Sequence, residues 1–128
     1  MNPIRLFRLL LLVSLLLSLP AWADGPSNKW RIQLNHAAKV SGEVELAFTP
    51  EGAAATSLVV PIPAGTHENQ AARLIRDAIR ARFGKSVYKT ELDDGEDVLL
   101  KVRGSTPKVE LVVVRNTAEG LTVTLDRE

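Results

Sequence analysis

Residues 66–84, with the sequence THENQAARLIRDAIRARFG, differ in their apolar period from the segments on both sides. The apolar side chains of this stretch recur every three or four residues and share one face of a helical wheel. That face consists of Ala71, Leu74, Ile75, Ala78 and Ile79. The opposite face carries three arginines, Arg73, Arg76 and Arg80. This period predicts one amphipathic helix over residues 67–83.

Residues at both ends of the stretch fit the ends of a helix. Thr66 suits the N-cap position, and Glu68 suits the positive end of the helix dipole. Gly84 stands where a helix commonly ends in a left-handed residue. We therefore expect the helix to begin just after Thr66 and to stop before Gly84.

On both sides of the helix the apolar period changes to two, which is typical of half-buried strands. Three such segments precede the helix and four follow it. Short turns link neighbouring strands, so they pair antiparallel, and the fold class is α+β with about seven strands in the order β-β-β-α-β-β-β-β. Pro61 and Pro63 lack a backbone donor, which predicts that the third strand lies at a sheet edge.

A single helix is too narrow to cover this many strands. A flat sheet of seven is ~30 Å wide, whereas a helix covers ~10 Å. The strands should therefore curl around the helix, divide into two layers, or bury apolar surface against a partner. Val112 and Val114 are apolar on the outer side of their strand. They predict either a two-layer packing that buries them or an interface with a partner, such as a homodimer.

The first 23 residues have a different composition from the rest. Arg5 and Arg8 precede an apolar run over 9–19, and Pro20 and a small-residue site at 21–23 follow it. This order predicts a secretory signal peptide that is removed after residue 23. The run is also shorter than the ~20 residues that cross a bilayer, so we expect no transmembrane anchor after cleavage.

The rest of the chain is predicted to be a flexible lead-in over 24–29 and a single domain over 30–128. The leader holds two arginines and no acid, so residues 24–128 carry 14 Lys+Arg and 15 Asp+Glu. A nearly neutral domain does not favour a nucleic-acid partner. The absence of cysteine excludes disulfides, thiol nucleophiles and Cys-ligated zinc. No N-x-[ST] acceptor occurs, which fits a bacterial protein, periplasmic or else secreted.

No residue is predicted to be catalytic or to bind a cofactor or metal. His36 and His67 have no further His or Cys at ligating spacing. His67 with Ser57 and Asp77 would give the residue types of a hydrolase triad, but no nucleophile elbow is present. The acidic run 93–97 includes an Asp-Gly turn, yet the glutamate that an EF-hand needs six residues after its glycine is replaced by lysine.

The arginines of the helix, Arg73, Arg76 and Arg80, form the one predicted surface of a single charge sign. They are either a solvated face or a contact surface for an anionic partner, such as lipid headgroups or an acidic envelope protein. Both interpretations stay open from the sequence.

Residues 42–113 resemble the β-β-α-β-β units of bacteriophage tail and flagellar hook-associated proteins. The likeness rests on two strands, the segment Pro-Ala-Gly-Thr at 63–66, an Ala/Ile-rich helix and strands around an Asp-Gly turn. It covers about 72 of the 105 residues after the leader. The resemblance implies a structural scaffold, and it implies no role for any single residue.

These observations predict an exported, non-catalytic small domain that acts as an envelope accessory or interaction module. One alternative is a small periplasmic enzyme of the hydrolase type, with acid and base groups at strand-edge carboxylates. Another is a secreted inhibitor that uses a strand edge or loop. Carboxylates with raised pKa values in a deep cleft would favour the enzyme, and a protruding loop would favour the inhibitor.

Export should remove residues 1–23, because the apolar run is too short to stay in a membrane as an anchor. Mass spectrometry of the protein from the cell envelope is expected to give an N-terminus at Asp24. Recovery of an intact chain beginning at Met1 in the membrane fraction would contradict this prediction.

Overall fold

The computed structural model describes residues 25–128, and the predicted signal peptide lies outside these residues. The elements are β1 Lys29–Asn35, β2 Gly42–Pro50, β3 Thr56–Ile62, α1 Glu68–Phe83, β4 Tyr88–Asp93, β5 Asp97–Val102, β6 Val109–Asn116 and β7 Thr122–Arg127. The predicted α+β class and element order are confirmed. Within residues 25–128, no helix has the length and apolar character needed to cross a membrane.

The strands form two antiparallel sheets. The larger sheet has the order β4-β5-β1-β7, and the smaller sheet has the order β3-β2-β6. Of the three expected solutions to the coverage problem, the chain takes the division into two sheets. β3 lies at an edge of the smaller sheet, as Pro61 predicts.

The helix covers both sheets at once. α1 packs against β1, β4 and β5 of the larger sheet and against β3 of the smaller one. Buried side chains from α1 and from both sheets form one hydrophobic cluster. Its largest fully buried members include Trp30, Phe48, Ile32, Leu34, Leu46, Ile62, Ile75 and Ile79. The amphipathic helix therefore contributes to a core that both sheets share.

The two sheets are also joined through the backbone of Val109, at the start of β6. Its carbonyl accepts hydrogen bonds from the Ser27 N–H at 2.9 Å and from the indole Nε1–H of Trp30 at 2.8 Å. Its N–H donates to the Ser27 carbonyl at 3.0 Å. The expected lead-in over 24–29 is thus hydrogen-bonded at Ser27, and it already contains Lys29, the first residue of β1.

The helix begins one residue later than expected, because Thr66 does not cap it. Thr66 is buried, and its hydroxyl donates to the Pro63 carbonyl at 2.7 Å. His67 takes the N-cap position with extended backbone and no side-chain cap hydrogen bond. Gly84 ends the helix as predicted, with φ of 85° and its N–H donating to the Arg80 carbonyl at 3.0 Å.

The division into two sheets does not bury Val112 and Val114, so the two-layer expectation for these residues is wrong. Val114 is 54% exposed and Val112 is half-buried. Two neighbouring residues of β2 pair with Val113 and Arg115, which leaves Val114 as the extra residue of a β-bulge. An extra residue shifts the inward and outward alternation of a strand. The partner interface across Val112 and Val114 stays a prediction.

Replacing Ile79 with alanine should lower the free energy of unfolding by about 2–5 kcal/mol, because Ile79 is fully enclosed and truncation leaves a cavity. Leu74→Ala should cost less, since Leu74 is only partly buried. Arg73→Ala, on the exposed side, should stay within about 0.5 kcal/mol. Urea denaturation of the three variants tests this order, and equal losses for Ile79→Ala and Arg73→Ala would show that the helix face is misassigned.

Candidate functional site

The three arginines that the sequence places on one helix face have three different surroundings. Arg73 is exposed, whereas the Arg76 Nε–H donates to an Asp77 carboxylate oxygen at 3.0 Å. Arg80 is half-buried and reaches β4, where its Nε–H donates to the Thr90 hydroxyl at 3.0 Å and its Nη2 donates to the Thr90 carbonyl at 2.6 Å. The three side chains therefore do not form one exposed stripe.

The residue types of a hydrolase triad are engaged elsewhere. The Ser57 hydroxyl donates to a Glu45 carboxylate oxygen at 2.7 Å, and Asp77 pairs with Arg76. His36 and His67 are both exposed, as expected for surface histidines. The structure therefore gives no support to a triad built from Ser57, Asp77 and His67.

A row of lysines crosses the outer face of the larger sheet. Lys101 of β5 lies directly opposite Lys29 of β1 on one side and directly opposite Lys89 of β4 on the other. Side chains at directly opposite positions have Cβ atoms about 4.5–5.5 Å apart, and like charges there are destabilising. All three lysines are exposed. We call these residues the lysine row.

The same face becomes acidic further along the strands. The next cross-strand row contains Glu91, Leu99 and Arg31, and the one after it contains Asp93 and Asp97. Successive rows are two residues apart along each strand, because every second side chain faces outwards. The outer face thus has a basic end at the lysine row and an acidic end at the hairpin between β4 and β5.

Arg31 forms ion pairs with three acidic residues at the acidic end. Its Nη1 lies 3.0 Å from an Asp93 oxygen and 2.5 Å from an Asp97 oxygen, and its Nε pairs with Glu128. These three hydrogen bonds raise the pKa of Arg31 above its ordinary value, which is already very high. Its positive charge is therefore permanent and fully engaged by acids.

A group of three carboxylates at this hairpin has the spacing of metal ligands. Oxygens of Asp93, Asp94 and Asp97 lie within 4.8 Å of one another, and Asp97 is buried with one oxygen that has no hydrogen-bond partner. The Arg31 guanidinium already supplies positive charge to two of the three. The group therefore forms part of the ion-pair network around Arg31.

Two shallow pockets adjoin the lysine row. One, of about 190 Å³, lies on the sheet face and is lined by Lys29, Lys89, Glu91, Leu99 and Lys101. The other, of about 150 Å³, lies at the open edge of β4. Its lining residues are Arg80, Lys85, Tyr88, Lys89, Thr90, Glu91 and Arg103. Lysine and arginine side chains thus outnumber acidic ones in both.

Glu91 is the acidic residue shared by the two pockets. Its carboxylate lies 2.8 Å from the Lys89 ammonium. This hydrogen bond, together with the positive charges of Lys89, Arg103 and Lys29, lowers the pKa of Glu91. Glu91 is therefore ionised at neutral pH and offsets one positive charge, that of Lys89.

The lysine row has no local signal in the sequence, because its members come from three distant segments. Alternation places Lys101 on the outer side of its strand, but no local pattern aligns residues 29, 89 and 101. Their alignment depends on the pairing register of three strands. The row could have been found from a prediction of the registers of β1 and β4 against β5.

Tyr88 should titrate above the ordinary tyrosine pKa of about 10, because burial disfavours its charged form and raises its pKa. The pKa of Tyr88 is higher in the folded state than in the unfolded state. The contribution of protonated Tyr88 to stability is therefore fully present below about pH 10 and is lost as the pH rises through the folded-state pKa. Tyr88 is the only tyrosine, so phenolate absorbance reports it alone. Tyr88→Phe should move alkaline unfolding to higher pH, whereas a phenolate midpoint at or below 10 in the folded protein would refute the prediction.

Comparison with known proteins identifies no relative of this chain. No family model matches it, and no curated protein matches it in sequence. The similarity to phage-tail and flagellar hook-associated units therefore stays a resemblance of pattern. The lysine row and its two pockets have to be interpreted from their own geometry.

Proposed function

We propose that the protein is an exported, non-catalytic interaction module of the cell envelope that binds an anionic lipid surface through the lysine row. The observation that carries the proposal is the direct alignment of Lys29, Lys101 and Lys89 on three neighbouring strands. This alignment destabilises the folded state, because Lys101 in the centre faces a like charge on each side. A surface of anionic groups attracts all three lysines and offsets the repulsion between them.

Two of the three lysines in the row have no acidic partner among the described residues and are available to bind an anionic surface. Within residues 25–128, Lys29 and Lys101 take part in no ion pair, whereas Lys89 pairs with Glu91. The residues from 24 onwards are nearly neutral in total, so attraction to an anion arises from this local arrangement. The row spans ~10 Å across three strands, which suits several neighbouring headgroups.

Lysine side chains suit a phosphate-bearing surface. Each ammonium is a compact point charge on a flexible stem, and it can follow phosphates that are not fixed in one geometry. Each basic residue held near an anionic membrane contributes about 1 kcal/mol to binding. The large aromatic side chains Trp30, Phe48 and Tyr88 are buried, so binding is electrostatic and does not rest on their insertion.

Two glutamates on the sheets have pKa values below the ordinary range. Glu45 has a lowered pKa, first because it accepts a hydrogen bond from Ser57 and then because of Arg115. Glu91 also has a lowered pKa, for the reasons given above. A general acid working near neutral pH needs a raised carboxyl pKa, so Glu45 and Glu91 are not suited to that role.

Co-sedimentation with vesicles of phosphatidylglycerol tests the proposal, with phosphatidylcholine vesicles as the uncharged reference. Lys101→Gln removes the central charge of the row and should weaken binding about fivefold at low ionic strength. Lys108→Gln is the matched control, because it removes one exposed lysine outside the row. Equal binding of wild type and Lys101→Gln, or binding to acidic proteins with no preference for anionic vesicles, would overturn the proposal.

A further inference from the structure

We propose that the pocket at the open edge of β4 is a binding site for a phosphate group, held by Arg80, Lys85 and Arg103. This inference deepens the proposed function, because the pocket continues the basic surface of the lysine row. The two pockets share Lys89 and Glu91 in their linings. A phosphate group seated at the edge would thus belong to the same anionic surface that faces the row.

Three segments bring the cations of this pocket together. Arg80 comes from the last turns of α1, Lys85 from the connection to β4, and Arg103 from the residue that follows β5. The Arg103 N–H donates to the Val87 carbonyl at 3.0 Å, which holds this residue beside the connection. Positive groups that reach one pocket from separate segments suit a compact anion with oxygens in several directions.

The positive charge of the pocket is not balanced within the protein. Glu91 is its one acidic lining residue, and the Glu91 carboxylate pairs with the Lys89 ammonium at 2.8 Å. Within residues 25–128, Arg80, Lys85 and Arg103 form no ion pair. Three cations therefore remain for a ligand, and a phosphate monoester carries close to two negative charges at neutral pH.

Arg80 is already held in position for an anion. Its Nε and Nη2 donate to the hydroxyl and carbonyl of Thr90, which is buried. Both acceptors are neutral, so the guanidinium keeps its full charge, and its Nη1 hydrogens remain available for further hydrogen bonds. A fixed guanidinium loses little side-chain entropy when an oxyanion binds to it.

The size and lining of the pocket select a small group. Its volume of about 150 Å³ is that of roughly five water molecules and is below the 300–1,000 Å³ typical of sites for drug-sized ligands. Tyr88 forms part of the wall, and burial raises its pKa, so its hydroxyl stays protonated and able to donate. The pocket thus fits either free inorganic phosphate or the phosphate of a larger molecule that stays outside.

Titration with inorganic phosphate, followed by amide NMR, tests the site itself. Saturable shifts are expected at Lys85, Thr90 and Arg103, and sodium chloride at equal ionic strength should not reproduce them. Lys85→Gln and Arg103→Gln should each weaken binding about tenfold, because each removes a charge-assisted hydrogen bond. Lys108→Gln, which lies outside the pocket, should bind like the wild type.

A second arm distinguishes the two sources of phosphate. Vesicles with phosphatidic acid, a phosphate monoester, are compared with phosphatidylglycerol vesicles adjusted to the same surface potential. A preference for phosphatidic acid that Lys85→Gln and Arg103→Gln abolish identifies a headgroup as ligand, whereas saturable phosphate binding without this preference identifies the free ion. Either result supports the site.

The inference is overturned if phosphate causes no saturable shift and phosphatidic acid has no advantage. It is also overturned if Lys85→Gln and Arg103→Gln leave both measurements unchanged. These outcomes are separate from failure of the proposed function, which is read from Lys101→Gln on phosphatidylglycerol vesicles. The pocket can thus fail while the lysine row binds, and the converse result is equally visible.

Discussion

The hydrogen bonds to the backbone of Val109 join the two sheets at the start of β1, the strand that supplies Lys29 to the basic face. The indole of fully buried Trp30 donates to the Val109 carbonyl, so the start of β1 is held against the start of β6. Trp30 lies directly opposite Leu100 of β5, and its neighbour Lys29 therefore lies opposite Lys101. The register that places buried Trp30 opposite Leu100 thus also determines which charges lie opposite each other on the outer face.

The pleat then sorts charge along the face. In β1, β4 and β5, every second residue faces outwards. The three lysines lie side by side at one end of this outer face, because the strands are antiparallel. The lysine row and the row with Asp93 and Asp97 are four residues apart along each strand, which is about 13 Å. Arg31 pairs with Asp93 and Asp97 at the acidic end, whereas within the described residues Lys89 alone of the lysine row has an acidic partner, Glu91. The outer face therefore carries opposite charges at its two ends and attracts anions at its basic end.

The helix, the seven strands and the edge position of β3 could be predicted from the sequence, because period, turns and proline are local signals. Features that depend on distant contacts could not. Thr66 looks like an N-cap, but its hydroxyl bonds to Pro63. Arg80 looks like a solvated residue, but it bonds to Thr90 across the gap between helix and strand. The bulge at Val114 and the lysine row both follow from pairing register, which local composition does not encode.

The contact between Arg80 and Thr90 also occupies a backbone acceptor at an open sheet edge. β4 is the open edge of the larger sheet, and the Thr90 carbonyl that such an edge would offer to a visiting strand already accepts from Arg80. At the far edge of the smaller sheet, Pro61 of β3 has no N–H to offer. A strand that added to either of these edges would therefore forgo one backbone hydrogen bond, at the Thr90 carbonyl of β4 or at Pro61 of β3, which disfavours strand addition at these two positions.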